Sequence, residues 1–542
     1  MIHPIGGKAD PQTAQLKRHG SFIPIAIIET IKHQLVDKHS LSVMRIIATA
    51  MLPLSQHVIA ADWLISPRLN LQETYSDNVR LAPPNLSRSD WITQIDPGIS
   101  LSKESPRLYL NANYKLQNFL YKEDKKSQKS HHVLNTDANA KLIDEMLFLD
   151  IKATVSQQSI SAQGPQAADN SNLTNNRATV GTYTTSPFLR HRFGAVATSE
   201  LRYTQDEVRT RVVGLSNSKG RGTLFNISSD PAFSRLGWSL HYSTKKTDYS
   251  NHPTIHNEAI LSNLRFPVTP KFDLSASVGR EKNNYISTGP KPEGSTTTVG
   301  FAWAPTERTK IEYNAGHRYF GKTYTIKASH RTGKTYWNLA INKDITTSQS
   351  QFLIPATIST STFLSNLYSA KFPDDPAALQ QYVDYVISSN NLPTSLANPV
   401  NYLSNRVFLQ KNIQASVAIT GTRNSIILNI FGMSRHAQTS ATMDSVLLGS
   451  NNLTSNDTSK QVGGNLLWNH QLSTLTSANV SAYASATGRK DFTKSLKVNI
   501  SKQLEPKLSG MIELRRTQQH TSQLQDNGYQ ENALTASLSM KF

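Results

Sequence analysis

Ala533-Leu534-Thr535-Ala536-Ser537-Leu538-Ser539-Met540-Lys541-Phe542 closes the sequence. Leu534, Ala536, Leu538, Met540 and Phe542 share one parity, while Thr535, Ser537, Ser539 and Lys541 hold the other. Successive side chains of a strand point to opposite faces, so this segment reads as a strand with one apolar and one hydrophilic face. The same period runs upstream. In 108–117, Leu108, Leu110, Ala112, Tyr114 and Leu116 alternate with Tyr109, Asn111, Asn113, Lys115 and Gln117. In 272–279, Phe272, Leu274, Ala276 and Val278 alternate with Asp273, Ser275, Ser277 and Gly279. Leu496, Val498 and Ile500 likewise alternate with Lys497, Asn499 and Ser501.

The connections are sorted by length. Tight ones stand at Thr269-Pro270-Lys271, Pro305-Thr306-Glu307, Gly333-Lys334, Gly421-Thr422-Arg423, Ser473-Thr474 and Glu505-Pro506-Lys507. Longer polar stretches such as 285–293 and 441–458 lie between them. Short turns on one side and long loops on the other are the layout of an outer-membrane barrel. Hydrophobic residues are only 37% of the chain, and no run approaches the ~20 apolar residues of a spanning helix. A barrel shows lipid only every second residue, so it tolerates that composition. The expected fold is all-β: a transmembrane antiparallel up-and-down β-barrel of about 22 strands, within 18–22. Short turns face the periplasm, long loops face outward, and an even count puts both termini on the periplasmic side of a Gram-negative outer membrane. Trp91, Tyr109, Tyr313, Tyr319, Phe320 and Trp337 fall near strand ends, where interfacial aromatic girdles belong. The last strand, with Leu538, Met540 and terminal Phe542, resembles the signal read by the barrel-assembly machinery.

Near the start, Lys38 and Arg45 precede Ile46-Ile47-Ala48-Thr49-Ala50-Met51-Leu52-Pro53-Leu54, and Val58-Ile59-Ala60 follows. A positive region, a short apolar core and a small-residue site make 44–60 a secretory signal, cleaved after Ala60. Residues 1–43 are then a mispredicted extension or a long positive region, and 61–542 form the barrel. A long insertion, 349–402, breaks the strand pattern. Asp374-Asp375-Pro376 is a helix start, followed by Leu379, Tyr382, Val383, Val386 and Ile387 at helical spacing. It folds inward as a plug or outward as a lid, and both readings stay open here.

The chain carries 57 Lys+Arg against 38 Asp+Glu, a formal charge of +19. The basic residues are scattered along alternating segments, which argues against a compact nucleic-acid-binding domain. Arg190, Arg192, Arg202, Arg209 and Arg280 make the middle of the chain basic and form a candidate anion-binding wall. Membrane lipid and lipopolysaccharide phosphates at the outer rim are the other target of such charge. Cysteine is absent, which removes disulfides, thiol catalysis and Cys-ligated zinc. Gly316-His317-Arg318-Tyr319-Phe320-Gly321-Lys322-Thr323 has the letters of a phosphate loop. Its interior is bulky, and Tyr324-Thr325-Ile326-Lys327-Ala328 continues as a strand rather than the required helix. His131-His132 lies in a polar loop after Lys125, Lys126 and Lys129 and reads as a solvated surface. No metal, cofactor or local nucleophile motif stands out, so no catalytic residue is assigned.

Trp63-Leu64-Ile65-Ser66-Pro67, then Glu73-Thr74-Tyr75-Ser76-Asp77-Asn78-Val79, and Ile95-Asp96-Pro97-Gly98, carry a resemblance. They resemble the outer-membrane β-barrel proteins associated with PEP-CTERM/exosortase exopolysaccharide systems. The element around Tyr75, Asp77 and Asn78 points more broadly to barrels of exopolysaccharide operons. The resemblance implies an outer-membrane location beside polysaccharide production, export or surface-protein sorting, and it brings no catalytic residues. Three functions follow in order: a channel or docking barrel for exopolysaccharide and its secretion proteins, a scaffold for secretion partners, and an enzyme acting on polysaccharide or lipid.

Overall fold

The computed structural model describes residues 63–161, 164–229, 236–353, 360–369, 372, 379, 382–383, 403–445, 457–488, 491–521 and 528–542. The expected extension 1–43 and signal 44–60 lie outside the described residues.

Twenty-two strands each pair antiparallel with the next in sequence. The first, β1 (Trp63–Ser76), pairs on one side with β2 (Asp90–Ser105) and on the other with β22 (Gly528–Lys541), closing the sheet. Strands run from 10 residues in β13 (Thr309–Arg318) to 17 in β6 (Arg177–Phe193), long enough to cross a bilayer at the usual tilt. At the end of the barrel that holds Trp63 and Phe542, connections such as 106–107, 270–271, 307–308 and 506–507 are tight. At the other end they are long, as at 77–89, 160–176, 348–406 and 438–457, with 319–320 a short exception.

Register and alternation sort every side chain to one wall. On the outward face Val278, Val299, Val462, Ile512 and Leu514 are each more than half exposed. Such a band is untenable in water but forms the lipid-facing belt of a transmembrane barrel. Trp303, Trp337 and Trp468 stand outward near the tight-turn end, and the Tyr75 and Trp91 rings meet tilted, 5.2 Å apart, near the other. Tyr109 departs from the girdle expectation: its parity in β3 (Leu108–Tyr121), shared with Asn111 and Asn113, faces the lumen.

Closure rests on a short set of contacts. An open seam would leave strand N–H and C=O groups unpaired in lipid, which costs several kcal/mol per group. Phe542 N donates to Pro67 O at 3.0 Å at one end. In the middle Thr74 Oγ1 and Thr535 Oγ1 are 3.0 Å apart. At the other end the Asp77 carboxylate accepts from Asn532 N and Nδ2, both at 2.7 Å, while Asp77 N donates to Asn532 O at 3.1 Å. Asn78 folds the following turn through Ala82 N and O and donates to Gln530 O at 3.0 Å. The Tyr75–Asn78 element is thus seam hardware in this chain. Trp63 begins β1, Pro97 interrupts the β2–β3 ladder, and a Cβ on Gly98 would stand 3.0 Å from Tyr114 O.

Hydrogen bonds to a charged partner contribute about 1.5–3 kcal/mol each. Asp77→Ala is therefore expected to lower the temperature at which the barrel loses its compact migration on SDS gels. An unchanged transition would show that the clamp does not hold the seam.

Candidate functional site

The lumenal wall is hydrophilic, with amide and hydroxyl ladders between its charged positions. Asn469 donates to Asn479 at 2.6 Å and Asn479 to Asn499 at 2.9 Å, a ladder across three strands. Ser416 donates to Asn429 at 2.7 Å, and Asn429 to Asn465 at 3.1 Å. Ser100 Oγ donates to Asn113, whose amide donates to Asn111. Several charges on this wall are paired. Arg318 bridges Glu281 and Asp344, each at 2.7 Å, and Lys245 meets Asp206 at 2.6 Å.

The five candidate wall arginines do not form one surface. Arg190, Arg192 and Arg202 have lumenal parity, toward the tight-turn end. Arg202 stacks over Phe188 at 3.8 Å and is shared by Asp150 and Glu200 at 2.5 and 2.9 Å, while Arg190 meets Glu200 at 3.1 Å. Arg192 Nε donates to Gly194 O. Arg209 and Arg280 are a correction: register places both on the outward face, near the long-loop end. An odd separation, as between Arg202 and Arg209, flips the side chain through the sheet.

The described helices of the long insertion pack against the lumenal wall. The insertion leaves β15 (Thr335–Thr347) through α1 (Ser348–Leu353), whose Phe352 and Leu353 pack on Ala178, Val180 and Val208. Its second helix, α2 (Thr360–Tyr368), buries Phe363, Leu364, Leu367 and Tyr368 against Tyr336, Ala418 and Ile427. Those three wall residues lie near the tight-turn ends of β15, β16 (Val407–Thr420) and β17 (Asn424–Ala437). The Phe363 and Tyr336 rings meet edge-on at 5.2 Å, and the Arg331 guanidinium donates to Ser369 Oγ. Burying such side chains contributes roughly 1.5–3 kcal/mol each, enough to hold α2 near the periplasmic end. Leu379, Tyr382 and Val383 of the expected helix are helical and join the same cluster. Asp374, Asp375, Pro376, Val386 and Ile387 lie outside the described residues.

A second segment crosses the lumen. Residues 164–176, in the connection between β5 (Leu147–Ser159) and β6, reach over to β3, β21 (Leu508–His520) and β22. Tyr121 donates to Ser171 O at 2.7 Å, Gln166 N to Gln519 Oε1 at 2.9 Å, and Tyr529 to Gln166 O at 2.5 Å. The Asp169 carboxylate pairs with Arg515, whose other nitrogen donates to Glu531 at 3.0 Å. The Arg515 and Glu531 side chains are 1% and 0% exposed. Asn172 and Ser76 also donate to Glu531, at 2.6 and 2.8 Å. Burial alone would raise the Asp169 carboxyl; Arg515 first, then Lys497 and the bonds from Ser171, override it and hold that group well below the usual carboxylate range. At the outer mouth Leu403 N donates to Ile160 O, and Asn405 binds Gly214 O and Ser216 N. Asp444 accepts from Ser404 Oγ and Asn405 N. Four long-loop connections are thereby knitted together.

Nothing in the sequence flagged 164–176 as a crossing loop; Asp169 and Arg515 are 346 residues apart. The 316–323 match is a hairpin: β13 turns at Tyr319-Phe320 into β14 (Gly321–Arg331), with no helix to receive a phosphate. A Cβ on Gly316 would fall 1.9 Å from Thr297 O, so close strand packing accounts for that glycine. His131 and His132 are half-buried strand residues of β4 (Lys129–Ile143) rather than a solvated loop, and His131 is paired with Gln117 of β3. His132 shares a 2.8 Å bond with Tyr114 on the outward parity. Among the described residues no cluster of three or more His, Asp or Glu is arranged to hold a metal.

A closed barrel with an apolar outer belt and a hydrophilic lumen is a transmembrane β-barrel of the Gram-negative outer membrane. No protein-family model and no curated protein matches the chain. Among solved structures it is similar to the FrpB iron transporter of Neisseria meningitidis, at TM-score 0.47 and 9% identity over 89% of this chain and 83% of that one. It is also similar to the siderophore receptors PirA of Pseudomonas aeruginosa and of Acinetobacter baumannii, at TM-scores 0.43 and 0.44 and 8% identity. Each of those alignments covers 88% of this chain and 80% of the receptor. Overlap at this level is distant and assigns neither cargo nor residues to this chain.

Removing one partner of a buried ion pair costs about 3–5 kcal/mol. Arg515→Met is expected to free 164–176, read as new cleavage there by protease added to intact barrels. Because Asp169 is depressed, its contribution is complete above the unfolded carboxylate value of about 3.9. It is lost only as pH falls through the lower folded value. Wild-type protection is expected to be equal at pH 7 and pH 5; loss already at pH 5 would contradict this assignment.

Proposed function

We propose that this chain is a gated outer-membrane channel for a largely neutral polysaccharide, serving an exopolysaccharide surface system of the PEP-CTERM/exosortase-associated kind. The observation that carries the reading is a lumen walled by amides and hydroxyls and filled by its own chain. Asn, Gln, Ser and Thr offer donors and acceptors matched to sugar hydroxyls, without the net charge that would trap an acidic chain. The paired lumenal arginines favour a neutral glycan over an anionic one. The resemblance around Tyr75–Asn78 supplies the exopolysaccharide context, and the strand ending in Phe542 is the segment offered to the barrel-assembly machinery. Helices α1 and α2 and the 164–176 segment are the gate, displaced when a secretion partner engages.

Planar-bilayer conductance of the refolded barrel tests this. The wild type is expected to be nearly closed. Leu364→Asp, which puts a charge into the buried α2 contact, is expected to open it, and a neutral polysaccharide is expected to block the opened pore more strongly than an acidic one. A folded variant that stays closed would favour the scaffold reading. Stronger block by the acidic polymer would overturn the choice of cargo.

A further inference from the structure

We infer that a lysine row on the outward face, Lys343, Lys411 and Lys460, is a binding site for the phosphates of an outer-leaflet glycolipid. The row is built by register. Lys343 stands directly opposite Lys411, Lys411 opposite Ser434, and Ser434 opposite Lys460, on the adjacent strands β15 to β18 (Thr458–Ser473). All four share the outward parity of Ile413, Ile430 and Val462, which are 39%, 56% and 60% exposed. Exposed His436 and Lys322 flank the row, and Lys343 Nζ donates to Lys322 O at 2.7 Å.

Like charges directly opposite on one sheet face repel, so this arrangement calls for a counter-ion. The protein does not supply one on that face: among the described residues, the outward positions of β14 to β18 hold no Asp or Glu. The carboxylates closest in sequence are committed elsewhere. Asp344 lies on the lumenal face with Arg318, and Asp457 is bound by Arg406 at 2.7 Å. The sector around Arg209 differs, since Glu207 neutralises it at 2.8 Å.

Depth selects the partner. Lys460 follows β18 upward from outward Trp468 by eight residues, roughly 26 Å along the strand at about 3.3 Å per residue. At a strand tilt of about 35–45° that is roughly 20 Å of height, and the lysine stems reach the rest of the ~25 Å apolar band. The ammonium groups therefore sit at the outer lipid–water boundary, with aliphatic side chains below them. Lys411 Nζ lies 5.6 Å from the centre of the Tyr324 ring, and Lys343 Nζ 5.9 Å from that of Phe320. An amphiphile with acyl chains below and phosphate above satisfies both surfaces; a soluble polyanion satisfies only one.

The test uses the full-length purified barrel and native mass spectrometry with diphosphorylated lipid A, its dephosphorylated form, inorganic phosphate and an acidic polysaccharide as probes. Each basic residue near such a surface adds about a factor of five in affinity. K343Q/K411Q/K460Q is therefore expected to weaken diphosphorylated lipid A about a hundredfold, while the heat-dependent gel shift stays as in wild type. Wild type is expected to prefer the phosphorylated lipid over the dephosphorylated one, and inorganic phosphate is expected not to displace it. Equal binding by the triple variant, or no preference for the phosphorylated lipid, would overturn the site. Tighter binding of inorganic phosphate or of the polysaccharide to the same lysines would overturn the lipid assignment.

Discussion

The hydrogen-bonded seam between β1 and β22 is the constraint on which the rest of this structure depends. In a bilayer no water is present to pair a free strand edge, so the sheet closes or does not insert. Closure fixes the parity of every strand relative to its neighbours. Parity then decides that Leu534 and Leu538 meet lipid while Glu531 and Thr535 line the lumen. The contacts that hold the seam are few and specific: Asp77 with Asn532, Thr74 with Thr535, and Phe542 with Pro67.

A closed barrel of this strand number encloses more space than its wall side chains fill. This chain occupies that space with its own loops. The two inward segments use different physics. Helix α2 of the insertion is held low in the lumen by apolar burial of Phe363, Leu364 and Leu367, which is insensitive to pH. The 164–176 segment is held high by Asp169 on the buried Arg515 and by hydrogen bonds, which are directional and respond to strong acid. A gate built from both has two independently displaceable parts.

Much of the fold was legible from residue alternation. The strand count, the sorted loops and the outward face of the last strand all follow from a period of two, and each tight turn expected from Pro, Gly or Ser lies where predicted. The site was far less legible. Arg209 and Arg280 read as wall residues because composition shows charge but not side; only register distinguishes them from Arg202. Helix α2 is hidden because Phe363, Leu364 and Leu367 stand among Ser and Thr in a short segment, where helical period is weak. The Asp169–Arg515 pair joins distant positions through closure, so no local pattern announces it. The lysine row was equally invisible, since Lys343, Lys411 and Lys460 become neighbours only in the closed sheet.

The central claim is that the insertion is a plug within the lumen. The chain contains no cysteine, so a pair placed at Tyr336 and Phe363, whose rings are 5.2 Å apart, reports without background. In intact outer membranes the double variant Tyr336→Cys, Phe363→Cys is expected to be joined by a short bifunctional thiol reagent, and Phe363→Cys alone is expected to resist a membrane-impermeant one added outside. Ready labelling of Phe363→Cys from outside, with no cross-link to position 336, would place the insertion on the surface as a lid and contradict the account.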